Sequence, residues 1–180
     1  MRTVVIAGGT RGIGKALADS LTGWNVVALG SADGDLTSVK ATRALIERLP
    51  ESIDALVLSA GRFSRRRVVT VEGFEQTFAV GVLAKYLLVE GLLPALERAR
   101  RPVVLNLCGV GGIRAGHIHW DDLQLTRGYS LTAATMQGAR ANDLLGAGFA
   151  ARHPKSPIRY VLYNPLFVDS GMHLSLIHIS

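Results

Sequence analysis

The strongest chemical pattern lies near the start of the chain, in Gly8-Gly9-Thr10-Arg11-Gly12-Ile13-Gly14. The run follows a short apolar stretch, Thr3–Ala7, and opens a segment with helical spacing. Strand, glycine-rich turn and helix N-terminus in that order suit a phosphorylated ligand. Glycines permit the turn and let a pyrophosphate approach the backbone. The free N–H groups and the positive end of the helix dipole then hold the anion. Gly8, Thr10, Arg11, Gly12, Ile13 and Gly14 are the residues expected to do this.

Other reactive side chains are sparse. His117 and His119 precede Trp120 and titrate near neutrality. With Asp121 alone beside them they lack further ligands, so no metal is expected. Cys108 is the single cysteine and ends an apolar strand, where a thiol is buried and inert. It leaves no intramolecular disulfide, which points to a reducing, cytoplasmic setting. Arg62 and Arg65-Arg66-Arg67 are the densest positive cluster in a chain of formal charge +6. They read as a solvated loop. No aromatic platform or recognition motif accompanies them, so nucleic acid is not an expected partner.

The surrounding pattern says how the turn is positioned. Strand-length apolar runs occur at Thr3–Ala7, Asn25–Leu29, Ala55–Leu58, Pro102–Leu107 and Ile158–Tyr163. Helical spacing fills Ile13–Thr22, Ser38–Leu49, Val71–Ala99 with a break at Pro94, and Ala133–Arg152. Alternation of this kind predicts an α/β fold of the Rossmann type, a doubly wound parallel sheet in one domain. At 48% hydrophobic and 19% charged residues the chain has the composition of a globular protein, not a disordered one. No apolar run reaches membrane-spanning length, and Thr3–Ala7 is too short for a signal peptide core. Leu174–Ser180 looks like the translation of a sequencing-library adapter, so the domain is read as residues 1–173 and residues 174–180 as a non-native tail.

Glycines at 8, 12 and 14 form a TGxxxGxG-like turn, and the chain from Arg2 to about Met172 resembles the short-chain dehydrogenase/reductase family. Asp35-Leu36 matches the family's adenine contact. Ser59-Ala60-Gly61 matches its Asn-Ala-Gly signature, with Ser for Asn. Thr70 to Val80, Trp120 to Gln124 and Arg127 to Ser130 resemble its retinol-dehydrogenase-like branch. Asn164-Pro165-Leu166 stands where the family turns beside the nicotinamide. The resemblance implies a dinucleotide cofactor touched by Asp35, Leu36, Ser59, Ala60, Gly61 and Pro165 besides the turn. It also implies a small carbonyl or alcohol substrate, and a homodimer through the helices Val71–Leu93 and Ala133–Arg152 with Gly81, Gly138 and Gly146 permitting close packing. Strand two ends Leu29-Gly30-Ser31 without the acid that grips an NAD ribose, and Arg11 offers a guanidinium for a 2′-phosphate. NADP(H) is therefore expected over NAD(H), with Asp33 as the opposing feature.

The family's proton-transfer pattern is missing. Its Tyr falls on Thr135, its Lys on Ala139, its Ser on Gly109 and its Asn on Gly81. A Thr hydroxyl is far too weak an acid to replace a tuned phenol. Arg140 is rotated by about 100° around the helix from the Lys position. Tyr129 has no Lys at the right offset. The catalytic residues thus stay unknown. Three readings are open: an oxidoreductase with another acid, a non-catalytic NADP(H) sensor or scaffold, and an inactive fragment. Between Ser31 and Asp35 there is no room for the family's next helix and most of its third strand, and after Met172 its substrate loop and last strand are lacking. The sheet is thus expected to be trimmed at both edges to a 2-1-4-5-6 core order in the family's strand count.

Overall fold

The computed structural model describes residues 1–108 and 116–165. Five strands, β1 (Arg2–Ala7), β2 (Trp24–Leu29), β3 (Ala55–Leu58), β4 (Val103–Leu107) and β5 (Arg159–Tyr163), form one sheet. All four pairings are parallel, in the order β2-β1-β3-β4-β5. That is the doubly wound arrangement expected from the alternation. No strand stands between β2 and β3 in the chain, so the expected core order holds once strands are numbered consecutively.

Side chains alternate across the sheet and meet different helices. Val4, Ile6 and Val57 face α1 (Gly12–Ser20) and pack with Leu17, Ala18 and Leu21. Val5, Ala7, Leu56, Leu58 and Val104 face the opposite layer. There they meet Leu45 of α2 (Val39–Ile46), Leu88 of α4 (Ala84–Gly91), Leu96 of α5 (Leu93–Glu97) and Phe149 of α6 (Leu131–Arg152). Ser38 caps α2 and Ser130 caps α6, each accepting from a backbone N–H three residues on.

The helix expected over Val71–Ala99 keeps its expected break at Pro94 but differs in two ways. It begins at Gln76, in the short α3 (Gln76–Phe78), because Glu75 caps it by accepting from the N–H groups of Thr77 and Phe78 at 2.8 and 2.7 Å. The preceding residues make a local turn instead, with Thr70 N–H donating to Phe74 and Gly73 at φ +86°. Residues Ala79–Leu83 then widen into a π-helical stretch before α4. At the break, α5 starts at Leu93 with Pro94 in its first turn, where the missing N–H does no harm.

Leu88 is fully buried between the sheet and its neighbours. Leu88→Ala is expected to destabilise the protein by about 2–5 kcal/mol. Urea unfolding should show a lower midpoint at an unchanged slope.

Candidate functional site

Both ends of the phosphate turn are fastened. Beyond Ala7 the N–H groups of Gly8 and Gly9 donate to Leu29 O at 3.0 and 2.9 Å, folding the chain over the end of β2. Gly8 takes φ +87°, and a Cβ there would lie 2.7 Å from Ala60 N. Gly12 takes φ +57°. A Cβ on Gly14 would collide with Gly8 O and Ser59 Oγ. Ser59 Oγ donates to Ala7 O at 2.9 Å and to Gly8 O at 3.2 Å. Ser59 thus ties β3 to the turn. Helix α1 begins after Arg11 with no side chain capping it and no acid in its first turn. Its first N–H groups are left for another acceptor.

A short loop follows β2, where the adenine contact is expected. Asp33 folds back: its N–H donates to Gly30 O at 3.1 Å, and its carboxylate accepts from Gly30 N–H at 2.7 Å. Asp35 is exposed and accepts from Thr37 N–H, while Leu36 leans on the main core. Thr10 and Arg11 are exposed, and Ile13 is half-buried. On the other side Ala60 and Pro165 are half-buried and Gly61 is exposed.

No family model matches the sequence. Whole relatives do. Retinol dehydrogenase 13 of Mus musculus is 30% identical over 209 residues, covering 97% of this chain and 62% of the relative. Dehydrogenase/reductase SDR family member 12 of Bos taurus is 29% identical over 146 residues, covering 79% of this chain and 45% of the relative. The chain belongs to the short-chain dehydrogenase/reductase family. Among solved structures, the fold is shared with 3-alpha-hydroxysteroid dehydrogenase from Pseudomonas sp. B-0831, complexed with NADH. The TM-score is 0.73 at 20% identity, over 91% of this chain and 71% of that one. A metagenomic short-chain oxidoreductase in complex with NADP gives 0.68 at 20% identity, over 98% and 90%. The chain spans about half the length of the first curated relatives it matches, from 43% to 51%.

The positions expected from the resemblance to carry proton transfer include Thr135, Ala139 and Gly81. Thr135 Oγ1 donates to Leu131 O at 2.7 Å, back onto its own helix. Ala139 has no group to offer, and around Gly81 an added Cβ would meet nothing within 4 Å. Gly109 lies outside the described residues, as do Leu166, Met172 and the tail at 174–180. Arg140 pairs with Asp143 at 3.6 Å. Tyr129 donates to Ser64 O at 2.8 Å, and burial raises its pKa. The rings of His117 and His119 lie with centroids 4.1 Å apart and planes tilted by 54°, and His119 N–H donates to Gln137. Among the described residues no three His, Cys, Asp or Glu side chains gather as metal ligands. An added Cβ on Gly146 would lie 3.2 Å from Leu162, where α6 packs on β5, while one on Gly138 would meet nothing within 4 Å.

The sequence reading missed a buried polar network under this end of the sheet. Lys85 is 4% exposed and donates to Asn106 Oδ1 at 2.8 Å and to Leu107 O at 3.1 Å. Asn106 donates to Asn142 Oδ1 at 2.8 Å and to the Tyr160 hydroxyl at 3.1 Å. Asn142 in turn donates to Gly81 O and Gly138 O, both at 2.8 Å. It therefore bridges the π-helical stretch to α6. The signal was present as polar residues breaking apolar runs, Lys85 within Val80–Val89 and Asn106 within Val103–Leu107. Burial pulls the Lys85 amine down to about 8 and pushes the neighbouring Cys108 thiol up to about 11. A thiol held protonated is a poor nucleophile.

Lys85 carries a pH signature. Its unfolded-state value is 10.5 and its folded value about 8. Below that window both states hold the proton, and the full burial penalty applies. Between the two values the unfolded chain binds more protons, so this group's contribution to stability rises with pH. Cys108 works in the opposite direction from 9.0 to about 11, so the comparison must be with a variant. Lys85→Met removes the titration. The stability of Lys85→Met minus that of wild type is expected to fall by roughly 1–3 kcal/mol between about pH 8 and 10.5. Urea melts across that range read it, and a pH-independent difference would refute it.

Proposed function

We propose that this chain binds a dinucleotide on the Gly8–Gly14 turn and acts as an oxidoreductase on carbonyl or alcohol compounds. The observation that carries the reading is the glycine cradle itself. Side chains are excluded at Gly8 and Gly14 by Ala60, Ser59 and Gly8 O, and the first turn of α1 has no side-chain cap. A pyrophosphate fits that donor set. When bound, the nicotinamide supplies the hydride donor or acceptor. The chain's residues do the rest: Gly8, Gly12, Ile13 and Gly14 present backbone to the phosphates, Ser59, Ala60 and Gly61 border the ribose and nicotinamide side, and Pro165 closes it from β5. Thr10, Asp35 and Leu36 belong to the adenine side.

NADP(H) is preferred over NAD(H) in this proposal. Arg11 is exposed in the turn with no ion pair among the described residues. A guanidinium there suits a 2′-phosphate. Asp33 sits where a ribose-gripping acid would, but one of its oxygens is taken by Gly30 N–H.

A second reading has its own support. Thr135 keeps its hydroxyl on Leu131 and Ala139 has no amine, so a non-catalytic NADP(H) sensor or scaffold fits the same cradle. Turnover separates the two readings. In either, α4 and α6 are proposed to form a homodimer contact. Size-exclusion with light scattering should give twice the chain's 19.2 kDa, and the monomer mass would refute the contact.

Titration with NADPH and NADH, followed by fluorescence of Trp24 and Trp120, tests the cofactor reading. Saturable binding that favours NADPH is expected. Arg11→Ala should weaken NADPH by roughly tenfold and NADH by less than about twofold, the scale of one charge-assisted phosphate contact. A folded sample that binds neither cofactor would remove the proposal.

A further inference from the structure

The arginine loop is better ordered than a solvated charge run needs to be. It leaves β3 directly after Ser59-Ala60-Gly61 and crosses the C-terminal edge of the sheet, the edge at which doubly wound folds take ligands. Two long-range bonds hold it. Tyr129 donates its hydroxyl proton to Ser64 O at 2.8 Å, and Arg67 Nε donates to Gln124 O at 2.9 Å. Gln124 is itself fixed, because its Oε1 accepts from Glu75 N–H at 2.7 Å. Between the two anchors Arg66 N–H donates to Ser64 Oγ at 3.3 Å, and the side chains of Arg65 and Arg66 are exposed. Arg62 is exposed as well.

The nearby carboxylates are all engaged elsewhere. Glu72 accepts from Ser38, Val39 and Lys40 at the start of α2. Glu75 caps α3. Asp121 pairs with Arg127 at 3.0 Å. Asp122 accepts from Thr126 and from Arg127 N–H. Among the described residues no ion pair reaches Arg62, Arg65 or Arg66. Among the described residues three guanidinium groups thus stand without an ion pair, on a pinned loop that follows Ser59-Ala60-Gly61 of the proposed cofactor cradle.

We propose that this loop is the substrate-selecting rim of the site, and that the carbonyl or alcohol compound taken here carries a carboxylate held by Arg65 and Arg66. The planar, permanently charged guanidinium matches a carboxylate in two-point contact. The pinned backbone lowers the entropy lost on binding. The loop's one aromatic, Phe63, is half-buried against Gly61, which argues for a small anion over a stacked nucleic acid. The assignment rests on the reading that this edge holds the dinucleotide.

The test uses the full chain saturated with NADPH and two matched probes, 4-formylbenzoate and its neutral methyl ester, with affinities read by calorimetry. The acid is expected to bind roughly three- to tenfold more tightly than the ester at low salt, the range for two exposed charge pairs. The double variant Arg65→Ser/Arg66→Ser should erase that preference while NADPH affinity stays within about twofold. A second double variant, Arg100→Ser/Arg101→Ser, removes the same charge at the opposite edge, just before β4, and should keep the preference. Equal or absent binding of the two probes overturns the assignment, as does loss of the preference in the far-edge variant. Displacement by a single-stranded oligonucleotide at lower concentration than the acid also overturns it. Failure of the cofactor reading looks different: NADPH does not bind, yet the unliganded protein still prefers the acid.

Discussion

The close approach of β1's exit to the end of β3 governs the rest of the molecule. Parallel neighbours lie only about 4.8 Å apart. The chain leaving β1 must therefore turn across the end of β3 with no space for side chains. Gly8 and Gly14 meet that demand, and Ser59 fastens the crossing through Ala7 O and Gly8 O. The chain then runs outward through α1 to β2 on one side, and later returns to β3 on the other. The strand order reverses at β1, which opens a crevice at the strand ends. The uncapped N-terminus of α1 faces that crevice only because the turn is so tight.

Elements that repeat a simple period were legible in the sequence. The five strands appear within a residue or so of their expected limits, because β-branched runs in a doubly covered sheet have no other place to go. Helix α6 was likewise readable, the expected Ala133–Arg152 starting two residues inside the observed Leu131–Arg152. The long middle helix was not. Its periodicity extends back to Val71, but Glu75 is a better cap than a helical residue, and the turn through Gly73 removes the first part. The π-helical stretch left no periodic trace, since it adds one residue to a turn without changing which types are apolar. In the site, the glycine turn could be read because its backbone demands a residue type. The fold-back of Asp33 onto Gly30 could not, since it depends on loop geometry.

The buried network explains why polar residues persist beneath this end of the sheet. A buried ammonium is costly unless its hydrogens find acceptors. Lys85 finds Asn106 and Leu107 O, and Asn106 is held in turn by Asn142 and Tyr160. Removing one member leaves its partners unsatisfied, and that penalty exceeds the value of the bond itself. Asn142 has a further task. The π-helical stretch weakens its own backbone pairing, and Asn142 takes up Gly81 O. The network is thus a fixture between β4, α4 and α6 whose members satisfy one another.

Binding and chemistry are separable here because they are written in different parts of the chain. The cradle consists of backbone atoms, glycines and one helix end, all required by the crossing of β1 over β3. Losing it would unsettle the fold. The proton-transfer positions are single side chains on α6 and on the π-helical stretch, and the fold does not depend on them. Thr135 bonds back to its own helix and Ala139 fits a helix well, so both substitutions are tolerated locally. The arginine loop resembles the cradle in this respect. Its backbone is tied by Ser64 and Arg67, while its exposed cations have no structural duty that would retain them. A positive rim held in place without an ion pair among the described residues suits an anion at that edge, which is the proposal made for it.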